Sequence, residues 1–205
     1  MQCPSYIGCA FGPAIIVEHA RFGALGMQID PAVFHNPQAY GYRMVLVTKG
    51  VTPQCAHDII STIVAARTRG AQGLWFGISS PGGEPGAARL VSDFVRSIDF
   101  PTIGHVHSAF SESACLAAAF SARSIAPSGS IGFHQASMHL SAGPYAEDRI
   151  SDILHQVRGH NASMVRHLEI ALGLPQPLVR DWVYSGASFV GKEALDAGIV
   201  SVVCN

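Results

Sequence analysis

The segment Leu74-Trp75-Phe76-Gly77-Ile78-Ser79-Ser80-Pro81-Gly82-Gly83 runs from a short apolar stretch straight into a Pro-Gly loop. An apolar run of this length, entered from the break at Gly70–Gly73 and left through turn-formers, predicts a strand buried on both faces, as in a parallel sheet. The same unit recurs on either side. Upstream, Met44–Thr48 is a second short apolar strand. Thr52-Pro53 then opens a helix reaching about Arg67, with Ile59, Ile60, Ile63 and Val64 on one stripe. Downstream, a helix over Ala87–Ile98 leads past Pro101 to a third strand, Thr102–Val106. Ser111–Ala122 reads as a helix of small residues, packed too tightly for large side chains. Two short strands, Ser124–Ala126 and Ile131–His134, are expected around a turn at Pro127–Gly129. Such alternation implies right-handed crossovers and a mainly parallel α/β sheet with flanking helices.

Both ends differ from this middle. Tyr145–Leu172 carries Ile150, Ile153, Leu154, Val157, Met164, Val165, Leu168 and Leu172 near helical spacing, and predicts one long helix. A helix over Pro175–Val183, a strand Ser188–Val190, a helix Gly191–Ala197 and a last strand Ile199–Val203 complete the chain. Met1–Tyr40 is rich in Gly, Pro and aromatics, with one short apolar run at Ala14–Val17. It reads as an arm carrying one strand, so an extension over residues 1–41 is expected ahead of a single domain over 42–205.

Composition narrows the function. Of 205 residues, 48% are apolar and only 13% charged, which excludes disorder and leaves a surface suited to burial against other subunits. Lys and Arg number 13 against 14 Asp and Glu, with no basic stripe, so a nucleic-acid partner is not expected. The longest apolar runs fall far short of the roughly 20 residues a spanning helix needs, so no membrane partner is expected either. Five cysteines at scattered spacings suggest neither a disulfide framework nor a zinc site, and fit a reducing cytoplasm.

Three segments carry chemistry. Ser80-Pro81-Gly82-Gly83 lies at a strand's C-terminal end, where residues without Cβ let main-chain N–H groups face an anion. In His107-Ser108-Ala109-Phe110-Ser111-Glu112-Ser113-Ala114 a strand hands over to a helix. Ser111 there would sit where the helix dipole stabilises an oxyanion, with the N–H groups of Glu112 and Gly83 as donors. The plainer reading makes Ser111 an N-cap and Ser113 one more first-turn hydroxyl. In Ile131-Gly132-Phe133-His134-Gln135, a histidine at a strand end can take the proton of a serine hydroxyl.

Ser-Pro-Gly-Gly, then Ser before a small-residue helix, then strand–His–Gln together resemble the ClpP family of serine peptidases, within the ClpP/crotonase superfamily. The likeness spans about Tyr42 to Val203, with Gly191–Val203 resembling the closing helix and strand. It implies a ClpP/crotonase-like sheet with a protruding handle helix at Tyr145–Leu172, a homo-oligomer, no cofactor or metal, and a peptide or unfolded protein as substrate. Carried over, the nucleophile is Ser111, the base His134, and the oxyanion donors Gly83 and Glu112. The family's third member, an Asp, falls on Gly186. Asp181, five residues earlier, is the tentative substitute, provided the local path brings it near. Loss of the Asp leaves open a catalytically silent ring subunit. A crotonase-type acyl-CoA enzyme using Glu112 or Glu84 is the remaining alternative. The divergent arm and short tail count against an ATP-dependent unfoldase partner, which the family otherwise implies. Signal-peptide peptidases use a Ser–Lys pair, but Lys49 and Lys192 are poorly placed for it.

Overall fold

A computed structural model describes residues 15–16 and 29–204. Most of the expected arm lies outside the described residues, and so does Asn205. Among the described residues seven strands form one sheet: β1 (Ile15–Ile16), β2 (Tyr42–Val47), β3 (Gly73–Ser80), β4 (Thr102–Phe110), β5 (Ala122–Gly132), β6 (Ser188–Val190) and β7 (Val202–Val203). Their order is β1-β7-β5-β4-β3-β2, with β6 added to β5. Pairing is parallel throughout β2-β3-β4-β5-β7 and antiparallel only for β1 on β7 and β6 on β5. The helices are α1 (Pro53–Thr68), α2 (Ala87–Ser97), α3 (Glu112–Ala119), α4 (Glu147–Leu172), α5 (Gln176–Ser185) and α6 (Lys192–Asp196).

The main core lies where α1, α2 and α3 meet the sheet, around Ile63, Phe76, Val91, Leu116 and Phe120. A smaller cluster covers the opposite face, where Ile29, Val33 and Phe34 pack with Trp75, Ile103 and Val202. Every residue of α3 is buried, which explains the sequence Glu-Ser-Ala-Cys-Leu-Ala-Ala-Ala. α1 starts where Thr52 Oγ1 accepts the Cys55 N–H at 3.2 Å.

Several boundaries differ from expectation for physical reasons. β4 does not stop at Val106: His107 bulges out of both ladders, and the strand resumes in shifted register as far as Phe110. Ser124–Ala126 and Ile131–Gly132 are not two strands but parts of β5, which ends before Phe133 and His134 and whose pairing with β4 jumps from Val106↔Ile125 to Ser108↔Ser130. Pro127 has no N–H for a ladder, so the residues between bulge outward without ending the strand. α3 is shorter than Ser111–Ala122, because Ser111 has φ 56° and Phe120 is already extended. The last strand is also shorter, at Val202–Val203. Ile153 of α4 is buried, whereas Ile150 and Leu154 beside it are exposed.

Candidate active site

The C-terminal ends of β3, β4 and β5 bring the three motifs together. β3 ends at Ser80, whose Oγ donates to Lys49 O at 2.7 Å. The following loop is tied to the segment before α1: Val51 N–H donates to Gly82 O at 2.8 Å, and Glu84 N–H to Val51 O at 2.9 Å. Gly82 has φ 120°, and a Cβ there would lie 2.8 Å from Ser111 Cβ and 2.9 Å from Phe110 O. Only glycine lets the loop approach the serine this closely.

Ser111 stands between β4 and α3, its N–H donating to Gly132 O at 3.0 Å. Among the described residues it is the only non-glycine with positive φ, and its side chain makes no cap. Such strain persists where surrounding structure enforces it, and it gathers at functional sites. Ser113 behaves otherwise. Its fully buried Oγ accepts the Phe110 N–H at 2.8 Å and lies 2.7 Å from both Ser80 O and Phe110 O, donating to one of them. Ser111 thus occupies the N-cap position without its hydroxyl capping any N–H, whereas Ser113 Oγ is bonded within the fold. At the far end of α3, Arg123 donates to Ile199 O at 2.8 Å and to Phe120 O at 3.2 Å, placing a cation at the helix C-terminus.

His134 lies two residues past the end of β5 and is exposed. Its Nδ1 lies 2.7 Å from Gln135 O, an acceptor only, so Nδ1 carries the proton and Nε2 is the basic nitrogen. Ser111, His134, Gly83 and Glu112 all line one cavity of about 260 Å³, with Pro81, His160 and Met164 among its other walls. Among the described residues Ser111 Oγ takes no hydrogen bond, from His134 or any other group, and the N–H groups of Gly83 and Glu112 are likewise without partners. The Glu112 carboxyl is buried with Oε2 unpartnered, and burial pushes its pKa up against the opposing pull of Arg89 and the Gly86 N–H.

Asp181 is not among the cavity's lining residues. It is exposed on α5 and makes no hydrogen bond with His134. β6 pairs Ser188 with Gly132, and Phe133 N–H donates to Ala187 O at 2.9 Å; Gly186, the C-cap of α5, lies one residue before Ala187. No cluster of three or more His, Cys, Asp or Glu among the described residues is placed to hold a metal. The sequence reading missed His160 and Met164, whose helical spacing on α4 carries no sign that they reach this cavity. It also missed the Gln135 carbonyl, because a main-chain acceptor leaves no trace in residue type.

The mainly parallel α/β sheet with flanking helices is a ClpP-type fold. The family model described as Clp protease matches residues 35–205, and the chain belongs to that family. No curated protein matches it. Members of the family are peptidases that form oligomeric rings and act on peptide substrates. Among the described residues, no helix is long and apolar enough to cross a membrane.

Proposed function

We propose that this chain is a serine endopeptidase that cleaves peptides or unfolded proteins through an acyl-enzyme on Ser111. The observation that carries the reading is the strained, unbonded Ser111, held at the head of α3 in the cavity it shares with His134. His134 Nε2 takes the Ser111 proton as Oγ attacks the substrate carbonyl. Charge on the carbonyl oxygen develops against the N–H groups of Gly83 and Glu112 at the positive end of α3. The imidazolium returns its proton to the departing amine, and a water deprotonated by the same nitrogen hydrolyses the ester. The substrate main chain lies beside the Gly82–Gly83 loop as an added strand. Asp181 enters only if α5 shifts. These steps draw on side chains and main chain alone, in a reducing cytoplasm where Cys55, Cys115 and Cys204 stay free.

A fluorophosphonate probe tests this reading, because only an activated serine is labelled. Wild-type protein is expected to label, Ser111→Ala not at all, and Ser113→Ala to a large extent despite a loss of about 1–3 kcal/mol in stability. Labelling of Ser111→Ala, or none of the wild type, overturns the assignment. The second outcome would favour a catalytically silent ring subunit, which Gly186 in place of the Asp also favours. In either case we propose a homo-oligomer whose interface includes the exposed Ile150 and Leu154 of α4. A mass near 21.6 kDa by light scattering at micromolar concentration would exclude it.

A further inference from the structure

We propose that Asn161 is the positioning residue for His134, acting through the peptide group between Gln135 and Ala136. Asn161 is a buried amide on α4, only 3% exposed, and its Oδ1 accepts the Ala136 N–H at 2.7 Å. Gln135 O accepts the His134 Nδ1–H, also at 2.7 Å. That carbonyl and that N–H are the two ends of one planar amide. Accepting at the N–H end draws electron density toward the oxygen, so each hydrogen bond strengthens the other. The line Asn161–peptide–His134 thus does at Nδ1 what a carboxylate does in a triad: it selects the tautomer and fixes the ring plane.

Two further contacts hold this peptide in place. Phe133 N–H donates to Ala187 O at 2.9 Å, and Gln135 Nε2 to Tyr184 O at 3.3 Å. The histidine segment is thereby pinned between the α5–β6 corner and α4. Among the described residues no carboxylate bonds to His134, and Gly186, on which the family's Asp falls, has no side chain. A buried amide is destabilising unless its polar atoms are satisfied, and Asn161 satisfies its oxygen on this loop rather than within its own helix.

The inference rests on the peptidase reading for its role, but the position of the ring proton is measurable without activity. With the ring neutral, nitrogen NMR of His134 is expected to show the Nδ1–H tautomer in the wild type. Asn161→Ala, which removes the acceptor, and Ala136→Pro, which removes the donor and leaves α4 untouched, are each expected to shift it toward Nε2–H, the form favoured in water. Each is also expected to lower kcat on the order of 10-fold with KM unchanged. The double variant falls no further than either single one, because both remove the same link. Asn161→Asp keeps an acceptor and keeps the Nδ1–H form. Persistence of Nδ1–H in both single variants, or additive losses in the double variant, overturns the proposal. Failure of the peptidase reading shows separately, as a wild type that no fluorophosphonate labels while the tautomer shift still occurs.

Discussion

Two serine–histidine neighbourhoods lie along the same pair of strands, and they differ in what surrounds the hydroxyl. In the middle of the sheet His105 of β4 stands opposite Ser124 of β5, with Nδ1 2.8 Å from the hydroxyl. The His105 ring stacks on Trp75 and meets His107 edge-on. Ser124 is fully buried. At the strand ends Ser111 and His134 make no hydrogen bond to each other, yet they share an open cavity with two free N–H groups. Proximity alone therefore yields a structural bond. A nucleophile needs a hydroxyl left unbonded, a path for substrate, and donors where negative charge will form. Around His105 and Ser124 the strands pair in regular parallel register. At the strand ends the ladder stops, and the Gly82–Gly83 loop and the head of α3 leave theirs free.

The largest effect that separates the two neighbourhoods is the loss of labelling in Ser111→Ala, set against Ser124→Ala. The latter is expected to label as fast as the wild type while losing about 1–3 kcal/mol, since it leaves the buried His105 Nδ1 without its partner. Fluorophosphonate kinetics and urea melts on the same samples check both. Reduced labelling in a folded Ser124→Ala would show that the mid-sheet pair reaches the site, and the contrast would collapse.

Acid provides the next contrast. Burial, with the nearby His107 as a lesser cause, lowers the His105 pKa from 6.5 to about 4. His167, buried and with Nε2 2.9 Å from Cys115 O, is lowered as well, again by burial first. A lowered histidine pKa means the unfolded chain binds protons more readily, so the folded state loses stability as pH falls from about 6.5 toward 4. For His105 the loss amounts to about 3 kcal/mol at the lower end, and it is absent at pH 7. Urea midpoints taken across this range are expected to fall steeply for the wild type and less steeply for His105→Phe, which removes the His105 part. Equal slopes would mean that His105 is not held neutral by the core.

These contrasts also mark how far the residue string could be read. The parallel sheet was legible because β3, Gly73–Ser80, is apolar where strands flanked by helices must be. The residues that meet at the cavity were legible through spacing and through the resemblance they carry. Local pattern failed at His107–Phe110 and Pro127–Gly129, where polar and turn-forming residues remain in strands because bulges absorb them. It failed again at His134, whose partner is a main-chain carbonyl set by Asn161 on a distant helix. Residue type says nothing about where a carbonyl points. Likewise, Ile150, Ile153 and Leu154 look alike in sequence, and only packing separates the buried Ile153 from its exposed neighbours.

The smallest expected effects concern the carboxylate that His134 lacks. His105 has a side-chain hydroxyl on Nδ1, whereas His134 has only an amide carbonyl, so a charged partner would sharpen the difference between them. Gly186 is the place to add one. It precedes Ala187, whose carbonyl accepts the Phe133 N–H beside His134, it has φ 74° and ψ 39°, and a Cβ built there meets nothing within 4 Å. Asp tolerates this left-handed conformation better than most residues, so Gly186→Asp costs about 1 kcal/mol of stability. If its carboxylate reaches Nδ1, it stabilises the imidazolium formed during attack and raises the rate of peptide hydrolysis on the order of 10-fold, or about 1.4 kcal/mol of barrier. Asp181→Asn is the companion variant. An exposed side chain with no bond to His134 is expected to leave the rate within about twofold. A loss approaching 10⁴-fold would instead make Asp181 the third member after all, reached through movement of α5, whereas no gain from Gly186→Asp in a folded protein would mean that the Asn161-supported peptide already holds the ring as well as a carboxylate can.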